Sequence, residues 1–114
     1  MNNHGAQAEL WALQYLQRQG LRLVAQNYRS RFGEIDLIMQ DGAVRVFVEV
    51  RLRRNGNFGG AAASIDHHKQ QRLIHTAQLY LTTQAHTPPC RFDAVLMDDA
   101  QGKNVAWVKD AFGM

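Results

Sequence analysis

Asp36 is followed, after twelve residues, by Glu49-Val50-Arg51. Both acids lie in alternating apolar and polar segments, residues 34–39 and 44–51, with Asp41-Gly42 between them. Such alternation marks half-buried strands, and Asp-Gly is a strong hairpin signal. A two-residue Asp41-Gly42 loop pairs Gln40 with Ala43. It then sets Met39 opposite Val44, Leu37 opposite Val46 and Ile35 opposite Val48. That face is wholly apolar, as a face against a core must be. The other face carries Glu34, Asp36 and Ile38 on one arm and Arg45, Phe47, Glu49 and Arg51 on the other. In this register Asp36 and Glu49 are diagonal neighbours, about 7–8 Å apart at the backbone. Their carboxylates could converge on one divalent cation. Glu34 falls directly opposite Glu49, and like charges so placed are destabilising unless a cation, a proton or solvent separates them.

The chemistry open to this set is specific. Paired carboxylates are hard oxygen ligands of the kind Mg²⁺ or Mn²⁺ takes. The acid-x-base spacing puts Glu49 and Arg51 on the same side of one strand. Phosphodiester hydrolysis needs a bound divalent cation, an activated water and a positive group at the developing charge. Taken alone, acid-x-base on a strand is a common pattern, and its plain reading is a solvated strand face.

The elements around the hairpin must position these groups. Residues from about Asn3 to Gln19 read as an amphipathic helix with Ala6, Leu10, Leu13 and Leu16 in its apolar stripe, joined by Ala12 and Tyr15. Gly20 stops it. Glu9 falls inside that stripe, where a carboxylate is expensive unless something pairs with it. A partner arginine or the helix amino terminus would account for it as well as a functional role would. Residues 21–29 read as a strand. The second hairpin arm runs on through Leu52, Arg53 and Arg54 into a loop, residues 55–60. Arginines beside Asn57 and Phe58 suit a nucleic-acid backbone and a stacked base; the alternative is a solvated loop with its Phe tucked onto the body.

Ser64 is a candidate cap for a long helix over about Ile65 to Ala85, with Ile65, Leu73, Ala77, Tyr80 and Leu81 buried. Lys69 lies within that stripe. Its ammonium either snorkels to solvent or reaches the acidic face of the hairpin. Thr87-Pro88-Pro89 ends the helix, and residues 90–97 and 104–108 read as strands, leaving a tail from Lys109 with little signal. The order is α-β-β-β-α-β-β, a mixed α/β sheet flanked by helices.

The chain has 114 residues, a formal net charge of +3 and 46% hydrophobic residues. One globular domain spanning residues 1–114 follows. The pI of about 9.4 permits a polyanionic partner without demanding one. A single cysteine, Cys90, excludes an internal disulfide and a cysteine-based zinc site and fits a reducing cytosol. No apolar run reaches the roughly 18–20 residues of a membrane helix, and the amino terminus lacks the regions of a signal peptide. A cytoplasmic protein without membrane contact is expected. The five histidines form no metal motif, and His68 and His75 read as solvent-facing. There is no P-loop and no dinucleotide fingerprint.

An acid, a spacer and Glu49-Val50-Arg51 on adjacent strands resembles the active-site layout of the PD-(D/E)xK nucleases. From about Gly5 to Leu96 the chain resembles the YraN family of bacterial proteins, which has the restriction-endonuclease-like fold. The resemblance rests on Glu9, Ala12, Tyr15-Leu16, Asn27, Gly33 to Ile38, Phe47 to Arg51, Lys69, and Arg91-Phe92-Asp93. It implies that Glu9, Asp36 and Glu49 are metal ligands or their close support, with Mg²⁺ or Mn²⁺ as cofactor. The chain is also similar to archaeal Holliday-junction resolvases, which add an acid from the first helix and work as two-fold dimers. By that analogy a homodimer is expected. The superfamily triplet usually ends in lysine, and here it ends in Arg51. Arginine does not shuttle protons near pH 7, although it stabilises a phosphate's charge.

The expected function is a metal-dependent nuclease acting on DNA, branched structures included. Asp36 and Glu49 would hold the metal, and Glu9 a second metal or the water. Arg51 would face the phosphate, with Lys69 as auxiliary cation. Arg53, Arg54, Asn57 and Phe58 would grip the nucleic acid. The alternative is a catalytically inactive nucleic-acid-binding or assembly module that kept the fold.

Overall fold

A computed structural model describes residues 3–53 and 65–114, the side chains of Asn3 and His4 excepted. The expected order is present: α1 (Asn3–Arg18), β1 (Arg22–Ser30), β2 (Gly33–Asp41), β3 (Val44–Leu52), α2 (His67–Leu81), β4 (Cys90–Met97) and β5 (Ala106–Phe112). The strands form one sheet in the order β1-β2-β3-β4-β5. Only β3 and β4 are parallel, and α2 is the crossover between them, as a parallel pair requires.

The two helices cover opposite faces of the sheet. Under α1 lie Leu37, Met39, Val46, Val48, Val95 and Met97, against Ala8, Ala12, Leu13 and Leu16. Under α2 lie Ile35, Ile38, Phe47, Phe92, Ala94 and Leu96, against Leu73, Ile74, Ala77 and Tyr80. Consecutive residues such as Leu37, Ile38 and Met39 are therefore all buried, as in central strands covered on both sides. The hairpin face expected to be polar is polar only toward its end. Ile35 packs under α2, not beside Leu37.

The hairpin register differs from the expected one by two residues. Asp41 pairs with Val44, Gln40 with Arg45, Met39 with Val46 and Leu37 with Val48. The loop is Gly42-Ala43, and Gly42 has φ 58°. A positive φ at the first central position is the requirement of a type II′ turn. Side chains alternate with period two, so a two-residue shift leaves the faces of Leu37, Met39, Val46 and Val48 intact. It does change the partners. Glu34 does not oppose Glu49; it pairs with Arg29 of β1. The paired stretch of β2 and β3 ends at Leu37 and Val48, and beyond it the Asp36 side chain takes over by accepting the Val50 N–H at 2.8 Å.

Both helices depart slightly from their expected stripes. In α1 the buried positions are Ala8, Ala12, Leu13 and Leu16, while Ala6 and Leu10 are exposed. The stripe is rotated so that Trp11 lies against Gly102, where a Cβ would collide with its ring. In α2 the cap is Asp66, whose carboxylate accepts the Lys69 N–H at 2.8 Å; the expected cap, Ser64, lies outside the described residues. Ile65 is buried ahead of the helix rather than within it, and Leu81 is only half-buried. β5 takes up the tail through Phe112, which stacks on Phe92 at 4.7 Å.

Candidate active site

The amino-terminal halves of both helices, the start of β2 and the end of β3 meet at one end of the sheet's central strands. A cleft of about 380 Å³ opens there, lined by Glu9, Asp36, Glu49, Val50, Arg51 and Lys69, with Gly5, Ala8 and Leu52. The carboxyl end of a parallel pair is where open α/β sheets place ligands. All five residues expected to be catalytic share this cleft.

Glu49 is its buried centre, at 6% exposure. Its Oε2 lies 3.3 Å from Lys69 Nζ and 3.6 Å from Arg51 Nη1. Lys69 therefore reaches the hairpin's acids instead of snorkelling. The two cations come from different elements, Arg51 from β3 and Lys69 from α2. Asp66, at the α2 cap, is held below the usual carboxylate range, first by the Lys69 N–H, with the more distant Arg51 charge among the smaller contributions.

Asp36 is in the opposite condition. Burial pushes its carboxyl up to about 9, and the Glu49 charge and then Glu9 add to that, against the Val50 N–H, which favours the charged form. Contact with the Glu49 carboxyl adds a last, smaller push in the same direction. Two carboxyls so close cannot both ionise freely. A divalent cation between them would replace the proton on Asp36 and remove the repulsion.

Glu9 is held by a residue that spacing alone did not assign to the site. Asn27 sits in β1 with φ 51°, a backbone that asparagine tolerates better than most residues. Its Nδ2 donates to Glu9 Oε1 and to Glu34 Oε2, each at 2.8 Å. The signal available in the sequence was an asparagine interrupting an otherwise ordinary strand. Glu34 is engaged by Asn27 and by Arg29, whose Nε is 3.5 Å from Glu34 Oε1, and it is paired with β1 rather than β3. Among the described residues no three His, Cys, Asp or Glu side chains are already gathered as ligands to one ion.

The other expected contacts separate. Arg53 Nε pairs with Asp98 Oδ1 at 3.0 Å and its Nη2 donates to the Asn104 carbonyl, tying β3 to the β4–β5 turn. Arg54, Asn57 and Phe58 lie outside the described residues. His68 and His75 are exposed, as expected. Arg91-Phe92-Asp93 is structural. Asp93 is fully buried and accepts from Arg91 Nε at 2.9 Å, Trp107 Nε1 at 2.9 Å and Asp110 N at 3.0 Å.

Residues 8–97 match the profile described as Uncharacterised protein family UPF0102. The chain is similar to a UPF0102 protein of Psychromonas ingrahamii, 53% identical over 97% of this chain and 90% of the relative. It is 52% identical to one of Methylobacillus flagellatus over 98% of each, and 52% identical to one of Nitrosomonas europaea over 96% of this chain and 93% of the relative. Among the described residues no helix is long and apolar enough to cross a membrane.

Proposed function

The chain belongs to the UPF0102 family, and we propose that it is a divalent-metal-dependent nuclease of the PD-(D/E)xK type, acting on DNA in the cytoplasm. The observation that carries this reading is the pair of half-buried Asp36 and buried Glu49, side by side in a cleft with two cations at its wall. Burying two acids side by side is costly, and a site that binds a cation and a phosphate gives that cost a use.

The donor set fits Mg²⁺ or Mn²⁺. Such ions are commonly held by one or two carboxylates, the remaining positions going to water and substrate phosphate oxygens. Asp36 and Glu49 would hold the ion, with Glu9 across the same cleft for a second ion or the water. When bound, the ion supplies an acidified water and charge neutralisation at the phosphate.

The chain's own residues do the rest. Val50 N–H fixes Oδ2 of Asp36, so the carboxyl cannot rotate away from Glu49. Asn27 fixes one oxygen of Glu9 and leaves the other able to accept a hydrogen bond from a water in the cleft. Arg51 offers a planar guanidinium to the phosphate oxygens. Lys69 offers a compact ammonium to the leaving oxygen. Arginine does not shuttle a proton in this range, so any proton transfer expected of the triplet's third residue passes to Lys69, which arrives from α2 at the same Glu49 oxygen.

Calorimetric titration with Mn²⁺, on the wild type and on Asp36→Asn and Glu49→Gln, tests this reading, followed by cleavage assays on linear and branched DNA. Binding lost in both variants, with Mn²⁺-dependent cutting in the wild type alone, is the expected result. A folded wild type that binds no Mn²⁺, with or without DNA, refutes it.

A further inference from the structure

The turn between β1 and β2 is docked on α2. Ser30 Oγ lies 2.9 Å from Thr76 Oγ1 and also accepts the Phe32 N–H at 3.0 Å. A Cβ at Gly33 would touch Thr76 and Arg72, so the chain passes close against the helix there. The docking sets the Phe32 ring beside His75, centroids 5.1 Å apart and tilted by 56°. The Arg31 guanidinium stands 5.0 Å from the same ring. A surface hollow of about 320 Å³ opens at this point, lined by Arg31, Phe32, His75, Gln78, Leu79 and Thr82. Its charged and titratable lining is cationic or imidazole, with no carboxylate among these six.

Two aromatic rings, a guanidinium, an amide and a hydroxyl are the groups that take up an unstacked base and its phosphate. Bases inside a duplex already stack on each other and offer no free face. The position relative to the cleft is also informative. Lys69, Arg72 and His75 follow one another at intervals of three along α2, and Arg72 is exposed. At 1.5 Å per residue, His75 lies about 9 Å along the axis from Lys69. That spacing lets one strand reach from the acidic cleft to the hollow within a few nucleotides.

We propose that Arg31, Phe32 and His75 form a subsite for an unpaired nucleotide of DNA, within a few nucleotides of the phosphate held in the acidic cleft. The distance in this statement rests on reading the cleft as the phosphate site; the stacking platform itself does not. The substrate class that follows is DNA with a single-stranded segment beside the cut.

The test is fluorescence anisotropy in EDTA, with a labelled oligodeoxythymidylate and a blunt duplex of equal length as probes. The wild type binds the single strand more tightly than the duplex. Phe32→Ala weakens single-strand binding about 5- to 100-fold and duplex binding far less, while Phe32→Trp keeps it. Exposed His75→Ala moves in the same direction and carries the test if Phe32→Ala does not fold. Equal single-strand binding by the wild type and both alanine variants overturns the subsite, and so does equal loss on both probes. The platform needs no cleft acid, so the Phe32 dependence persists in the Asp36→Asn, Glu49→Gln double variant. A protein that cuts DNA but ignores Phe32 and His75 refutes the subsite alone. One that shows the Phe32 dependence but neither binds Mn²⁺ nor cuts refutes the nuclease reading alone. Failure to bind either probe overturns the subsite and leaves the nuclease reading to the Mn²⁺ titration.

Discussion

Lys69 places its ammonium 3.3 Å from Glu49, on the same carboxylate oxygen that Arg51 approaches at 3.6 Å. One buried acid therefore has two cations, each standing in if the other is lost. Lys69→Gln or Arg51→Gln alone leaves Glu49 paired. The double variant leaves a buried carboxylate alone, which is the destabilising condition. Denaturant unfolding of the metal-free protein should show the double variant less stable than the sum of the singles, by about 1–3 kcal/mol. Simple additivity would mean that the two cations do not share Glu49.

The same two residues divide in catalysis. Loss of a group that stabilises developing charge typically costs about 10²–10³ in rate, and Lys69→Gln should fall in that range in the cleavage assay. Arg51→Lys keeps the positive charge at the phosphate and should stay within about tenfold of the wild type. If instead Arg51→Lys restores full activity to Lys69→Gln, the proton donor belongs on β3 and not on α2.

Asp36 makes the metal-free protein less stable as pH rises. Its folded carboxyl is pushed up to about 9 from an ordinary value of 3.8. Between those values the folded state holds a proton that the unfolded state has released. Stability contributed by the protonated group is thus complete below about pH 4 and declines as pH rises toward 9. Asp36→Asn keeps an oxygen for the Val50 N–H and removes the charge. It should stabilise the apo-protein at pH 8 by about 1–2 kcal/mol and flatten the decline between pH 5 and 9. Mn²⁺ should offset the decline in the wild type only, because the ion displaces the proton. Unfolding curves at several pH values, with and without Mn²⁺, check all three statements.

Asn27 does two jobs that substitution separates. Its φ of 51° is a backbone requirement, and its amide holds Glu9 and Glu34. Asn27→Gly satisfies the backbone and loses the amide; Asn27→Ala loses both. Alanine should be the less stable of the two, by about 1 kcal/mol. Both should lower the cleavage rate to a similar degree, since both release Glu9. A glycine variant with wild-type rate would show that Glu9 needs no anchor.

Much of this architecture was legible in the chain. Alternation in residues 34–39 and 44–51 is a local property, and it located β2, β3 and the acid pair. What alternation does not carry is the turn. Asp41-Gly42 and Gly42-Ala43 loops give the same buried faces, and only backbone geometry at Gly42 decides between them. The fate of Glu34 depended on that choice. Asn27 stood among the residues of the family resemblance without a role, because that role is set by φ and by partners 18 and 7 residues away. Arg53 looked like a free cation because Asp98 and Asn104 come to it from a distant turn. Lys69 was legible as a choice between two fates, and the packing of α2 over β3 made that choice.

Asp93 provides the control that separates fold from site. It is buried at 0% exposure, with Arg91 as its ion partner and Trp107 and the Asp110 N–H as further donors. Arg91 continues to Asp41 at 2.9 Å, beside the β2–β3 turn. The network joins β4 to β5 and to the hairpin, and none of its members lines the acidic cleft. Asp93→Ala removes the acceptor, leaves Arg91 with Asp41 as its ion partner and strands two N–H groups, a loss of about 2–4 kcal/mol. Asp93→Asn keeps acceptor capacity for one or two of those donors and should cost less. Mn²⁺ affinity of the folded Asp93→Asn fraction should equal that of the wild type, whereas Asp36→Asn loses Mn²⁺ binding while remaining stable. Calorimetry paired with thermal unfolding distinguishes the two aspartates. If Asp93→Asn lost Mn²⁺ binding at full stability, the metal site would lie at β4 and not between Asp36 and Glu49.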